Sequence, residues 1–209
     1  MSPREHLRRY LDQCPLVAII RGVTPDAAET TGSAIAEAGI RIIEVPLNSP
    51  DPLRSIELLA KRFGDDLLVG AGTVLDPADV ARVRDAGGRI IVSPETNADV
   101  IAAAAKADLV SSPGYFTPSE GFAAIRAGAT ALKLFPAEGA SPAMLKAQLA
   151  VLPRDVPILV VGGVSPENMR PWLDAGATGF GLGGGLYKPG QSAADTRAKT
   201  QAYVAGLGR

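Results

Sequence analysis

Cysteine and histidine are almost absent from the 209-residue sequence, which contains one of each. A lone cysteine, Cys14, cannot form an internal disulfide, and a chain with so little cysteine fits a reducing compartment. The lone histidine, His6, lies in a polar leader segment, where we expect a solvated helix residue. A histidine-rich zinc site and a Ser-His-Asp triad are therefore both poorly supported.

Basic tracts and long apolar runs are also lacking. The 21 Lys and Arg residues are scattered among 22 Asp and Glu residues, a net charge of −1, so the charge distribution favours neither a nucleic acid nor an anionic membrane as a partner. The leader, residues 1–13, has no apolar core and is expected to be neither a secretory signal nor an anchor, and no later run approaches membrane-spanning length. We expect a soluble cytoplasmic protein.

The composition is typical of one folded unit. Hydrophobic residues make up 46% of the chain and charged residues 21%. A chain of this length can bury one core, and α/β barrels of this size remain single domains. We expect residues 1–209 to form a single domain.

Short apolar runs recur along the chain after a short leader helix. Each run is apolar on both faces, as fully buried parallel strands are. The predicted strands are Leu16–Arg21, Arg41–Leu47, Leu67–Thr73, Arg89–Pro94, Asp108–Gly114, Ala131–Pro136, Pro157–Gly163 and Gly179–Gly183.

Alanine-rich segments with helical spacing separate these strands. Helix starts are predicted where a capping side chain precedes a proline, at Thr24-Pro25, Ser49-Pro50, Asp76-Pro77, Thr117-Pro118, Ser141-Pro142 and Ser165-Pro166. Helix ends are predicted at the glycines of four Ala-Gly pairs, Gly39, Gly87, Gly128 and Gly176. Eight strand-helix units predict a (β/α)8 TIM barrel with a short N-terminal helix, and a doubly wound open sheet is the alternative.

A lysine interrupts the sixth strand, at Lys133. A buried ammonium must reach solvent, pair with an acid, or lose its proton and become a nucleophile. Aligning the glycines of the Ala-Gly repeats places Glu44, Val92, Lys133 and Gly181 in one interior layer, contributed by alternate strands. We therefore expect Glu44 and Lys133 to face each other across the barrel, with open space at Gly181. A purely structural ion pair is the alternative.

The carboxyl ends of barrel strands carry the active site in enzymes of this fold. Glycine pairs after the seventh and eighth strands are typical of a phosphate site formed by backbone N–H groups and a helix N-terminus, although tight turns alone would also require glycine. The arginine after the first strand could bind a carboxylate or phosphate, or could be solvated. The residues expected to line the site are Arg21, Glu44, Asn48, Thr73, Pro94, Lys133, Phe135, Gly162, Gly163, Gly183 and Gly184.

Five segments, in order along the chain, resemble the KDPG/KHG aldolase family, class I aldolases of 2-keto-3-deoxy-6-phospho sugar acids. The resemblance extends from Pro15 to about Pro189. The segments are Ile19–Pro25, Ile43–Pro50, Val69–Leu75, Leu132–Ala137 and Val161–Glu167.

The resemblance implies a Schiff-base reaction without a metal or other cofactor. Lys133 would attack the C2 ketone of the substrate, and Glu44 would move protons. Cleavage would release glyceraldehyde 3-phosphate and leave a pyruvate enamine on the lysine. The resemblance also implies a homotrimer.

Three departures from the family pattern bear on the substrate. Gluconate-type members carry an arginine where this chain has Asn48, and Arg21 matches an arginine of the galactonate type. Gluconate-type members also tend to have a threonine near the C4 hydroxyl, where this chain has Val161. The usual phosphate-binding serine is replaced by Gly184, which leaves the phosphate preference less secure.

These features favour the galactonate-type branch. A gluconate-type or dual-specificity aldolase is the alternative. A non-catalytic sugar-phosphate-binding barrel, or an unrelated phosphate-barrel isomerase or synthase, is more remote.

Overall fold

Nine parallel strands form one continuous sheet in the computed structural model, which describes residues 2–208. Hydrogen-bonded neighbours follow the order β5-β4-β3-β2-β1-β9-β8-β7-β6. The strands are β1 Leu16–Ile19, β2 Ile42–Pro46, β3 Leu68–Gly72, β4 Ile90–Val92, β5 Val110–Ser112, β6 Gly114–Tyr115, β7 Leu132–Leu134, β8 Ile158–Val161 and β9 Gly179–Leu182.

The predicted fifth strand is split at Pro113 into β5 and β6. The first piece pairs with β4 and the second with β7, so that the two pieces together fill one place in the ring. Proline has no N–H with which to continue the ladder. The Ala131 N–H donates to the Ser111 carbonyl at 3.0 Å and joins the two edges. The (β/α)8 barrel is confirmed, and the open doubly wound sheet is wrong.

Helices alternate with the strands around the outside of the barrel. Short 3-10 turns at Gly64–Asp66 and Ala137–Gly139 follow α3 and β7. Within residues 2–208, no helix combines the length and apolar character needed to cross a membrane. The helices are α1 Pro3–Leu11, α2 Pro25–Glu37, α3 Pro52–Phe63, α4 Pro77–Asp85, α5 Ala98–Lys106, α6 Pro118–Arg126, α7 Pro142–Leu149, α8 Met169–Ala175 and α9 Ala193–Gly206.

Most of the predicted helix boundaries are confirmed. The glycines of the four Ala-Gly pairs all have positive φ, as helix-ending glycines do. Thr117 and Glu120 form the two reciprocal hydrogen bonds of a capping box. The confirmed starts are Thr24-Pro25, Asp76-Pro77, Thr117-Pro118 and Ser141-Pro142.

Two predicted helix starts are wrong. Helix α3 begins at Pro52, and the Ser49 hydroxyl instead accepts the Gly22 N–H at 2.9 Å. Helix α8 begins at Met169, and the Ser165 N–H donates to the Asn168 side chain at 2.9 Å. In both cases the Ser-Pro pair belongs to a loop at the mouth of the barrel rather than to the helix that follows.

The leader helix α1 closes the amino-terminal end of the barrel. Leu7, Tyr10 and Leu11 belong to the same buried cluster as the inward-facing residues Val17 and Ile42. His6 lies in this helix and is half-buried, and its ring packs edge-on against Tyr10 with the ring centroids 5.3 Å apart. A second, larger apolar cluster lies between the strands and the surrounding helices. The carboxyl ends of the strands are therefore the end that opens to solvent.

Candidate active site

A cavity of about 700 Å³ opens at the carboxyl ends of the strands. Every residue that the sequence places in the catalytic or substrate-binding site lines it, except Asn48, which contacts the lining residue Arg21. The lining residues from that set are Arg21, Glu44, Thr73, Pro94, Lys133, Phe135, Val161, Gly162, Gly163, Gly183 and Gly184.

Lys133 projects from the middle of β7 into the barrel. Its backbone N–H donates to the Pro113 carbonyl at 2.8 Å, so the break in the fifth strand fixes the position of the lysine backbone. The residue is 7% exposed, and its Nζ lies 4.7 Å from the centroid of the Phe135 ring, on the same side of the strand. Burial lowers the pKa of Lys133, Glu44 opposes that shift, and Arg21 adds to it. Relative to a lysine in water, burial thus favours the neutral form of the amine over the charged form.

Glu44 projects from β2 and is 2% exposed. Its carboxyl group lies over the backbone of Gly72 in β3, where a Cβ would sit 2.7 Å from Oε1 and would overlap Oε2. Only glycine leaves room for the carboxyl group. Burial raises the pKa of Glu44, while Lys133 and Arg21 oppose the rise. Relative to a glutamate in water, burial thus favours the protonated form of this carboxyl group.

The Glu44 and Lys133 side chains do not pair with each other. Their strands, β2 and β7, are four places apart in the ring and therefore lie opposite each other. Within residues 2–208, Glu44 Oε2 is buried and has no hydrogen-bond partner. The arrangement is a buried amine and a buried carboxyl group that come from opposite strands and line the same cavity. Residues 2–208 contain no cluster of three His, Cys, Asp or Glu side chains that could hold a metal ion.

Arg21 lies just after β1, and its side chain is held by residues just after β2 and β3. One guanidinium nitrogen donates to the Asn48 side chain, and another donates to the Thr73 hydroxyl at 3.4 Å. Asn48 therefore orients an arginine that comes from the neighbouring strand. The exposed guanidinium lines the cavity on the side of Glu44 and Lys133, where it can bind an anion.

Glycines line the part of the cavity that is formed by the loops after β8 and β9. Gly162 and Gly163 follow β8 with φ values of +112° and +61°, which side chains rarely adopt. Gly183 and Gly184 follow β9, and a Cβ at either would meet nothing within 4 Å. The open space expected at Gly181 is instead largely occupied, because a Cβ there would lie 2.7 Å from Val161. Helix α8 does not begin until Met169, so no helix terminus directly follows the Gly162-Gly163 pair.

Sequence reasoning missed several residues of this end. Lys188 and Tyr187 come from the loop after β9, and Glu138 comes from the 3-10 turn after β7. Tyr203 of α9 lines the cavity and donates its hydroxyl to the Val164 carbonyl at 2.9 Å, which fastens the loop after β8. The rule that strand ends form the site could have identified Glu138, which lies four residues beyond β7. Tyr203 comes from a helix, and its sequence position carries no such signal.

The family model described as KDPG and KHG aldolase matches residues 7–198. The chain belongs to the KDPG and KHG aldolase family. Members of this aldolase family are carbon–carbon lyases, and the chain is assigned to that class of enzyme on the basis of its relatives.

Individual aldolases are similar over nearly the whole chain. A probable 2-dehydro-3-deoxy-6-phosphogalactonate aldolase of Rhizobium meliloti (strain 1021) is 49% identical over 91% of this chain and 90% of its own length. The 2-dehydro-3-deoxy-6-phosphogalactonate aldolase of Escherichia coli (strain K12) is 44% identical over 94% of this chain and 96% of its own. A solved structure of native KDPGal superposes with a TM-score of 0.92 at 43% identity, covering 93% of this chain and 95% of that chain.

We predict that the free energy of unfolding of Glu44→Gln, compared with that of wild type at the same pH, increases as the pH rises from 4.5 toward neutrality. The folded protein holds the Glu44 proton to higher pH than the unfolded chain does, so the wild-type free energy of unfolding falls through that window. Glutamine has no proton to lose. Urea unfolding across a pH series measures the difference between the two proteins.

The exposed Glu29 of α2 provides the control, because Glu29→Gln should leave the pH dependence of stability unchanged. A stability difference between Glu44→Gln and wild type that stays constant with pH would contradict the raised pKa of Glu44.

Proposed function

We propose that this protein is a class I, Schiff-base aldolase that cleaves 2-dehydro-3-deoxy-6-phosphogalactonate to pyruvate and D-glyceraldehyde 3-phosphate. The observation that carries the proposal is the buried Lys133 amine, with its lowered pKa, across the cavity from a Glu44 carboxyl group that has a raised pKa. The shifts bring the two pKa values toward neutrality. Both groups can then exchange protons during one reaction cycle.

The chemistry begins when Lys133 Nζ attacks the C2 carbonyl of the substrate. The C2 oxygen leaves as water once it has been protonated, with Glu44 as the proton source, and an iminium forms. The C3–C4 bond then breaks, and its electron pair moves into the iminium to give an enamine. The proton of the C4 hydroxyl passes to Glu44, directly or through one water molecule. The aldehyde departs, C3 is protonated, and hydrolysis releases pyruvate and the free lysine.

The two anionic groups of the substrate are assigned to opposite ends of the cavity, which gives the substrate one orientation. We assign the substrate carboxylate to Arg21, supported by Thr73, because this guanidinium lines the cavity on the Glu44 side. Phe135 and Pro94 form apolar walls near the reacting carbons. The distal phosphate is assigned to the backbone N–H groups of the glycines after β8 and β9, namely Gly162, Gly163, Gly183 and Gly184.

The galactonate-type substrate is supported by residues and by relatives. Asn48 holds Arg21 by a hydrogen bond and so supplies the orientation that an arginine-based carboxylate site requires. Val161 is 7% exposed, lines the cavity, and cannot donate a hydrogen bond to the C4 hydroxyl. Two relatives more than 40% identical carry the 2-dehydro-3-deoxy-6-phosphogalactonate name. Cleavage of the gluconate epimer, alone or as a second activity, is the alternative.

We further propose that residues 1–209 form a single barrel domain that assembles as a homotrimer in the cytoplasm and serves galactonate breakdown. Its elements run without a long linker from Pro3 to Gly206. A protein cage designed by fusing symmetric oligomeric domains contains a chain that is 44% identical over 92% of this one, with a TM-score of 0.91. That similarity supports an oligomer.

The trimer predicts a particle mass of three 21.5 kDa chains in light scattering coupled to size exclusion. A mass of one or two chains across a dilution series would contradict it.

Reduction with borohydride in the presence of pyruvate should add one reduced pyruvyl group to Lys133 and abolish aldol cleavage. The neutral amine forms the imine, and hydride makes the linkage permanent. Intact-mass and peptide mass spectrometry locate the adduct. Lys133→Met should accept no adduct and should lose cleavage by several orders of magnitude.

Lys146 on the exposed face of α7 provides a matched control, since Lys146→Met should be modified and should react like wild type. A folded wild-type protein that gains no adduct, or gains it at another lysine, would overturn the Schiff-base assignment. That result would favour the alternative of a barrel that binds sugar phosphates without turnover.

Val161→Thr should raise kcat/KM for the gluconate epimer relative to the galactonate epimer by about fivefold, the effect of one neutral hydrogen bond of about 1 kcal/mol. Threonine has nearly the same shape as valine and adds a donor that faces the cavity. Initial rates with both C4 epimers measure the ratio. Val161→Ala removes bulk without adding a hydroxyl, and an equal shift in that variant would show that space, not hydrogen bonding, sets epimer preference.

A further inference from the structure

Two buried side-chain atoms in residues 2–208 lack a hydrogen-bond partner, Glu44 Oε2 and Ser112 Oγ. Such atoms are rare in folded proteins, because a buried polar group without a partner is energetically costly. The reaction proposed above accounts for Glu44, which lines the cavity and moves protons. Ser112 is fully buried, does not line the cavity and has no part in that reaction. Its hydroxyl therefore requires an explanation of its own.

The Ser112 side chain points into the barrel. Successive side chains of a strand face opposite sides of the sheet, and Val110, two residues earlier in β5, belongs to the inner apolar cluster. Ser111 faces the other side, where its hydroxyl accepts the Thr130 N–H at 3.4 Å. The two serines of β5 thus differ both in the face they occupy and in whether their hydroxyl groups are bonded.

Lys133 lies beside Ser112 on the neighbouring strand. The Ala131 N–H donates to the Ser111 carbonyl at 3.0 Å, and the Lys133 N–H donates to the Pro113 carbonyl at 2.8 Å. These two bonds bracket Ser112, and strands bonded in this way lie about 5 Å apart. Ala131 belongs to the inner cluster, and Lys133, two residues further on, points to the same side. Ser112 and Lys133 therefore occupy adjoining inward positions of the barrel.

The proposed reaction creates a new hydrogen-bond donor on Lys133. When the amine condenses with the C2 ketone, it gives up one of its two hydrogens, which leaves in the water together with one proton from Glu44. The iminium that remains carries one N–H and a positive charge. The charge of Arg21 lowers the pKa of Lys133 and so disfavours a cation at this nitrogen. A buried cationic N–H in this position requires an acceptor.

We propose that Ser112 is a positioning residue of this aldolase, and that its hydroxyl oxygen accepts a hydrogen bond from the N–H of the Lys133 iminium. The proposal rests on the Schiff-base function proposed above and adds a residue to it. The bond fixes rotation about the Cε–Nζ bond of Lys133 and therefore the plane of the iminium. The C3–C4 bond breaks most readily when it stands perpendicular to this plane, because its electron pair then overlaps the C=N π system. Ser112 thus acts through Lys133 on the rate of cleavage and not on substrate binding.

Ser112→Ala tests the proposal, because alanine fills nearly the same space and removes only the hydroxyl. Both kcat for cleavage and the rate at which bound pyruvate exchanges its C3 protons with D2O should fall about tenfold, the effect of one hydrogen bond to a charged group. KM should be unchanged, since Ser112 does not line the cavity. The urea midpoint should stay the same or rise, because a buried hydroxyl without a partner is lost.

Ser111→Ala is the matched control, since it removes the neighbouring hydroxyl on the opposite face of the same strand. It breaks the hydrogen bond from the Thr130 N–H and should lower the urea midpoint, while kcat, KM and proton exchange keep their wild-type values. A wild-type kcat in Ser112→Ala, or a rise in KM alone, overturns the proposal. An equal loss of activity in both serine variants also overturns it, because the Ser112 hydroxyl would then serve only the fold.

The pyruvate trap separates these outcomes from failure of the aldolase function. If borohydride and pyruvate modify Lys133 in wild type while Ser112→Ala turns over at the wild-type rate, only the role of Ser112 is refuted. The absence of an adduct on wild-type Lys133 refutes the Schiff-base aldolase itself.

Discussion

The structure depends on two ionisable groups, an amine and a carboxyl group, that are buried in one barrel without contact with each other. Lys133 and Glu44 are 7% and 2% exposed, and burial shifts the pKa of each toward its neutral form. A direct ion pair would have stabilised the charged forms of both groups. Because the two groups lie on opposite sides of the barrel, neither stabilises the charged form of the other by direct contact, and the apolar core around them offsets the energetic cost of burying them. The neutral forms also need less compensation than two buried ions would.

Several features of the backbone determine the positions of Lys133 and Glu44. Gly72 leaves space for the Glu44 carboxyl group, and the break at Pro113 presents a carbonyl to the Lys133 N–H. Helix α1 fills the amino-terminal end with Leu7, Tyr10 and Leu11, so the polar layer lies above an apolar one. The cavity opens to solvent at the carboxyl ends of the strands. In this (β/α)8 barrel, apolar side chains close the amino-terminal end, and the polar side chains of the cavity lie at the carboxyl ends of the strands.

Repeated local signals made most of the fold predictable. Each Ala-Gly pair ends a helix through a backbone conformation that glycine favours, and four of the Pro-initiated starts have the expected boundary. The same periodicity placed Glu44 and Lys133 in one layer. The errors at Ser49 and Ser165 arise because a Ser-Pro pair fits a loop as well as an N-cap. Whether Ser49 caps a helix or accepts the Gly22 N–H depends on a neighbouring strand, which local sequence does not describe.

The reactive end and the distal end of the cavity differ in how strongly the fold determines them. Lys133 and Glu44 lie on strands that are each paired with a strand on both sides, so their positions follow from the register of the sheet. Glu138 lies in a short turn, and its position over Gly162 and Gly163 reflects the space that two glycines leave on another strand's loop. The positions of side chains on strands are therefore determined by the sheet, whereas the positions of side chains in turns depend on the packing of neighbouring loops.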